Sequence, residues 1–159
     1  MLPRIQAELR QVGIANTKFV IVGQGGDEAA LRASLPSAEF AGVLRGEALA
    51  TAYANMDIFV FPSDTDTFGN VVLEALASGI PAVVTTGGGP KFIVRESVTG
   101  FVRTPSEMVE PIAQLVRDAA LRETMARAAR EYALGCRWDA IFDEVYALYP
   151  AAARPDPVP

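Results

Sequence analysis

A chain of 159 residues, 50% of them hydrophobic and 21% charged, has the makeup of one compact domain with a buried core rather than of a disordered segment. Its formal net charge of −5, with no basic run, argues against a nucleic-acid partner, and no apolar stretch approaches the roughly 20 residues of a membrane helix. Histidine is absent and Cys136 is the single cysteine, which excludes Ser-His-Asp and Cys-His nucleophiles, an internal disulfide and a zinc site.

In chain order, residues 1–12 carry Leu2, Ile5, Leu9 and Val12 at helical spacing, stopped near Gly13. A first strand is read over 18–22, followed by a Gly23-Gln24-Gly25-Gly26 turn and a helix over 28–34. A dinucleotide-binding fingerprint would need a glycine at position 28, where Glu28 stands, so Gly23 and Gly25 read more simply as a tight turn. A strand over 39–43 then precedes a helix over 46–56.

The next unit organises the rest: an apolar strand over 58–61 expected to be buried on both faces, a polar loop over 62–67, a helix over 68–78 stopped by Gly79, and a buried strand over 82–84. Strand, loop, helix, strand is the signature of a parallel crossover. Gly87-Gly88-Gly89-Pro90 reads as a flexible loop into a turn of helix over 91–95, and 100–102 as a short last strand. From 106 to 148 the pattern is helical. Ser106 is read as an N-cap with Val109, Ile112 and Val116 on the apolar face. A second helix is read over 121–134 and a third over 138–149, where Trp138, Ile141, Val145 and Leu148 share a stripe. The fold class is therefore α/β, a parallel sheet flanked by helices with a helical C-terminus, in one domain over 1–150 with a frayed tail over 151–159. Cys136 reads as a half-buried bystander.

A parallel sheet binds ligands beyond the carboxyl ends of its strands, which singles out the 62–69 segment. Gly69 sits at a helix start, where free N–H groups and the helix dipole favour an anion and no side chain blocks close approach. Asn70, Glu74 and Ser78 fall on one polar stripe of that helix, so Glu74 can accept hydrogen bonds from hydroxyls of a ligand whose phosphate rests on the helix start. Asp66, in the loop, can serve hydroxyls beyond the phosphate. The blander reading is that Asp66 stabilises a turn and Glu74 is a solvated face residue.

The run PSDTDTFGNVVLEALASGIPAVVT, residues 62–85, resembles the donor-site motif of retaining glycosyltransferases of the GT-B fold, in the group 1 family. That motif is an acid, a Phe-Gly, and a Glu eight positions after the first acid that opens Glu-Ala-x-Ala-x-Gly-x-Pro, matched here over 74–81. By position, the resemblance implies that Asp66 contacts the transferred sugar, that the backbone of Phe68, Gly69 and Asn70 meets the diphosphate, and that Glu74 holds the ribose. It further implies that Gly23 and Gly25 line the donor cleft, that Leu44, with Arg45 beside it, leans on the nucleobase, and that the last helix reaches toward a partner domain. Two positions depart from the pattern: Asp66 stands for the usual Glu, and Lys91 or Phe92 stands where the family has an acid after Gly-Gly.

The resemblance covers residues 1–149 and implies one Rossmann-like, three-layer half of a two-domain enzyme. The opening strand of this half, with an Arg and a Lys for the diphosphate, and the N-terminal acceptor domain are both expected outside this chain. The activity implied is hexosyl transfer from a nucleotide-diphosphate sugar, in the cytoplasm, without metal or cofactor, to an acceptor that in the full enzyme includes membrane-associated molecules. This stretch alone is expected to be inactive. A non-catalytic nucleotide-binding module and a sugar-nucleotide epimerase fragment stand as alternatives, the second needing acid–base groups that the sequence does not offer. The base, the sugar and the acceptor stay open.

Overall fold

The computed structural model describes residues 1–149, except for the side chains of Trp138, Ala140 and Glu144. The tail read over 151–159 and the place of the Trp138 ring on its stripe therefore lie outside the described residues.

Helix α1 (Leu2–Gln11) leads to β1 (Val20–Val22), α2 (Glu28–Ser34), β2 (Glu39–Gly42) and α3 (Gly46–Ala54). Then follow β3 (Phe59–Phe61), α4 (Asn70–Ala77), β4 (Ala82–Thr85), a single 3-10 turn at Pro90–Phe92, and β5 (Gly100–Arg103). Helices α5 (Val109–Arg117), α6 (Ala119–Gly135) and α7 (Trp138–Ala147) complete the order. Every pairing is parallel: Val20 opposite Glu39, Phe59 opposite Ala82, and Ala82 opposite Gly100.

Strand β4 is the axle of the core. All four of its residues are buried, and the two-residue period of a strand sends them to opposite sides. Val83 joins Ile5 and Leu9 of α1 and Ile112 and Leu115 of α5, while Ala82 and Val84 join Val72 and Leu76 of α4. Helix α6 serves both faces, with Met125 in the first cluster and Ala129 in the second. Helices thus cover the sheet on both sides, the arrangement expected of parallel strands that read as continuous apolar runs.

Three expectations need correction. The strands form two sheets, β1–β2 and β3–β4–β5, and no ladder joins them among the described residues. Strand β3 is accordingly half-buried rather than buried on both faces, because it has a partner on one edge only. Ser106 caps no helix: α5 begins three residues later behind Met108 with no side-chain cap, and the Ser106 hydroxyl lies 3.1 Å from that of Thr104 in the preceding turn. The side-chain cap is made instead at α6, where Asp118 Oδ1 accepts the Leu121 amide at 2.8 Å.

The remaining elements start or stop within a few residues of their sequence-predicted bounds. At α4 the trim has a local cause: Gly69 adopts φ 88° and so cannot belong to the helix, leaving it as the cap. Cys136 is half-buried, as read. Among the described residues no helix is long and apolar enough to cross a membrane.

Because Leu76 is fully buried between α4 and β4, Leu76→Ala should remove about 2–5 kcal/mol of stability. Urea titration of the two proteins should show the midpoint falling with an unchanged slope.

Candidate functional site

The site is built around the tip of α4. The Phe68 amide donates to Asp66 Oδ1 at 3.0 Å, closing a short turn in front of the helix. The Gly69 carbonyl accepts from Val72 at 2.8 Å, so the first intrahelical bond is in place. The amides of Gly69, Asn70 and Val71 carry no hydrogen bond among the described residues. These are the donors that any helix start leaves over, and they add to the positive end of the helix dipole. At the other end of α4 the Arg130 guanidinium donates to the Ala77 carbonyl, placing a cation where the dipole is negative.

The space beside Gly69 is occupied differently from what the sequence suggested. A side chain on Gly69 would begin 2.8 Å from Pro90 Cγ, so the missing side chain admits Pro90 rather than a ligand, and Gly69 is buried. Any anion at this tip would approach from the side of Asn70, which is exposed.

The loop in front of the helix is fixed by its neighbours. Thr85, fully buried at the end of β4, donates its hydroxyl to the Ser63 carbonyl, and the Ser63 hydroxyl accepts the Asp66 amide at 3.3 Å. The Gly89 amide donates to the Asp66 carbonyl at 2.9 Å. The glycine run therefore does more than border the site. A Cβ at Gly87 would stand 2.6 Å from Asp64 Oδ1, and one at Gly89 would fall inside contact distance of the Thr67 carbonyl oxygen. Backbone lies on backbone here, which only glycine allows.

On the polar stripe of α4, Asn70, Glu74 and Ser78 are all exposed, as their spacing requires. Glu74 does not point into packed protein, yet it is held. Tyr53 of α3 is 6% exposed, its ring centroid 6.0 Å from that of Phe59, and its hydroxyl donates to Glu74 Oε2 at 3.0 Å. Burial first, and then the Glu74 carboxylate, push the Tyr53 phenol far above its ordinary value of 10.0. Nothing in the sequence singled out Tyr53; only its position in α3, one helix away from Glu74, reveals it.

The other candidates sit at different strand ends. Gly23, at the end of β1 with φ 116°, donates its amide to the Gly42 carbonyl at 2.7 Å, and Gly25 lies exposed in the turn beyond. Leu44 is half-buried after β2, and Arg45 is the exposed, extended residue before α3. None of these four hydrogen-bonds to residues 66–74 among the described residues. Two exposed aromatics, Phe68 and Phe92, stand near the helix tip. Two shallow concavities lie away from the tip, one about Ser78, Ala126 and Arg130 and another about Val12, Val109 and Arg117. The candidate site is an open ledge at the carboxyl ends of β3 and β4.

Two outcomes follow from this geometry. Gly89 has an ordinary helical φ of −78°, so Gly89→Ala tests the close approach alone. It should cost about 1–3 kcal/mol of stability by overpacking, measured by thermal or denaturant unfolding. The Tyr53 phenol stays neutral in the folded chain while the unfolded chain ionises near its ordinary value of 10.0. Its contribution is therefore complete below that pH and is lost as pH rises above it. Denaturant midpoints taken between about pH 9 and 11 should fall more steeply for wild type than for Tyr53→Phe.

Comparison with known proteins bears on the family and the fold. A family model described as "Glycosyl transferases group 1" matches residues 1–118. A GDP-mannose-dependent alpha-mannosyltransferase of Mycobacterium tuberculosis is 39% identical over 138 residues, which are 84% of this chain and 36% of that protein. Among solved structures, WaaG, a glycosyltransferase involved in lipopolysaccharide biosynthesis, superposes with a TM-score of 0.75 at 21% identity, covering 92% of this chain and 41% of its own. The pneumococcal O-GlcNAc transferase GtfA, solved with UDP and GlcNAc, gives 0.75 at 18% identity, with 92% and 31% covered. The parallel sheets, flanking helices and helical C-terminus are those of one half of a GT-B fold, and the chain spans about a third of the length of the curated relative. With most of its length matched by that family model, the chain belongs to the glycosyl transferases group 1 family.

Proposed function

We propose that this chain is the donor-binding half of a retaining glycosyltransferase and that it holds a nucleotide-diphosphate sugar on the ledge at the tip of α4. The observation that carries the reading is the sequence of chemistries along one edge. The Asp66 carboxylate, the unbonded amides of Asn70 and Val71 beyond the buried Gly69, and the exposed Glu74 carboxylate follow one another from loop to helix.

In this reading the diphosphate lies against the amides and the dipole of α4. Their stabilisation grows as the bond from the anomeric carbon to the phosphate oxygen breaks and charge collects on the leaving group. Being preorganised, these donors need no reorientation during the reaction, and the charge is met without a divalent metal or other cofactor. Glu74 accepts hydroxyl groups of the ribose. Asp66 keeps one carboxylate oxygen for the Phe68 amide and offers the other to the sugar. Leu44 and Arg45 are assigned to the nucleobase, with Gly23 and Gly25 along the cleft. The acceptor, membrane-associated molecules among its candidates, binds an N-terminal domain of a longer cytoplasmic polypeptide, and transfer retains configuration at the anomeric carbon. The name of the mycobacterial relative supports GDP-mannose as the donor to test first.

Isothermal titration of the chain with GDP-mannose, GDP and UDP tests this. Guanine nucleotides should bind, and Glu74→Ala should weaken them about tenfold or more, the worth of hydrogen bonds to a charged acceptor. Affinity unchanged in that variant, or equal for every nucleotide and for inorganic diphosphate, would remove the ribose from Glu74.

A further inference from the structure

The two oxygens of Glu74 are not equivalent. Oε2 receives the Tyr53 hydroxyl at 3.0 Å, whereas Oε1 has no hydrogen-bond partner among the described residues. The Tyr53 hydroxyl also lies 3.2 Å from the Val71 carbonyl, one turn earlier on the same helix, so its single proton is shared between acceptors that belong only to α4. The ring that carries the hydroxyl cannot move away. It packs in a cluster with Ala75 and Ile80, flanked by Leu49, Met56 and Phe59.

From this arrangement we infer that Tyr53 is the positioning residue of Glu74, holding its carboxylate so that Oε1 alone meets a vicinal diol of the ligand. The inference rests on the donor-site reading and adds to it a cause for selectivity. An exposed Glu on a helix face samples many rotamers, and fixing it on binding is among the larger side-chain entropy losses. A buried, rigid donor at Oε2 removes that loss before the ligand arrives, which is the general benefit of preorganisation. It also sets the chemistry. With the phenol taking one of the two acceptor positions of Oε2 and its ring standing on that side, Oε1 keeps both of its own for hydroxyl donors, so a ribose with both hydroxyls is favoured over one that lacks them. A site that hydrogen-bonds a hydroxyl discriminates strongly against analogues without it.

The experiment compares GDP with 2′,3′-dideoxy-GDP on wild type, Tyr53→Phe and Glu74→Gln by isothermal titration. Wild type should prefer GDP by about tenfold or more. Tyr53→Phe, which keeps the packed ring, should lose most of that preference while binding the dideoxy nucleotide as wild type does, and Glu74→Gln should lose it too. The unchanged dideoxy affinity also serves as the control for folding. Full preference retained in Tyr53→Phe, or an equal loss for both nucleotides, would make Tyr53 a structural tie between α3 and α4 and overturn the inference while leaving Glu74 at the ribose. A wild type without preference, or without nucleotide binding, would overturn the donor-site reading and Tyr53 with it.

Discussion

The candidate site depends on the contact of two stretches of bare backbone. Gly87, Gly88 and Gly89 lie against Asp64, Asp66 and Thr67 so closely that no Cβ fits between them, and the Gly89 amide bonds the Asp66 carbonyl. Pro90 then fills the hollow over Gly69. These contacts press the loop after β4 onto the loop after β3, in front of the first residues of α4. The Thr85 hydroxyl, buried in the core, reaches the same loop from below through Ser63. The ledge is therefore an extension of the fully buried strand β4.

That strand also explains how a small number of elements hold the site steady. Its alternate residues feed two apolar clusters, one under α1 and α5 and one under α4. A shift of α4 would disturb Val72 and Leu76 against Ala82 and Val84, so the helix whose tip forms the ledge is anchored along its length. The contrast with β3 is instructive. Its Phe-Val-Phe sequence is as apolar as that of β4, yet it is half-buried, since neighbours on both edges and not composition alone decide burial within a sheet.

The order of elements was legible because the apolar runs are separated by strong punctuation, notably Gly13, the glycines at 23–26, Gly79 and Pro81. The exposed stripe of Asn70 and Glu74 was legible for the same reason, since helical spacing alone puts them on one side. What the sequence concealed is non-local. That β3 has a free edge depends on which strands meet. That Pro90 covers Gly69 depends on a contact across the sheet's carboxyl edge. That Tyr53 holds Glu74 depends on the packing of α3 against α4. Ser106 misled for a different reason. A serine ahead of an apolar run carries the signature of a cap, but its hydroxyl is taken up by Thr104 in a turn that ends before the helix begins.

A loop seated by main-chain atoms has an evolutionary corollary. Thr65, Thr67 and Phe68 are exposed, and Thr67 and Phe68 join the frame through main-chain atoms alone, so the side chains of all three can be exchanged at little cost to folding. The surface of such a ledge is free to drift while the unbonded amides at the helix tip stay where they are. One scaffold can in this way be retuned from one glycosyl group to another without being rebuilt.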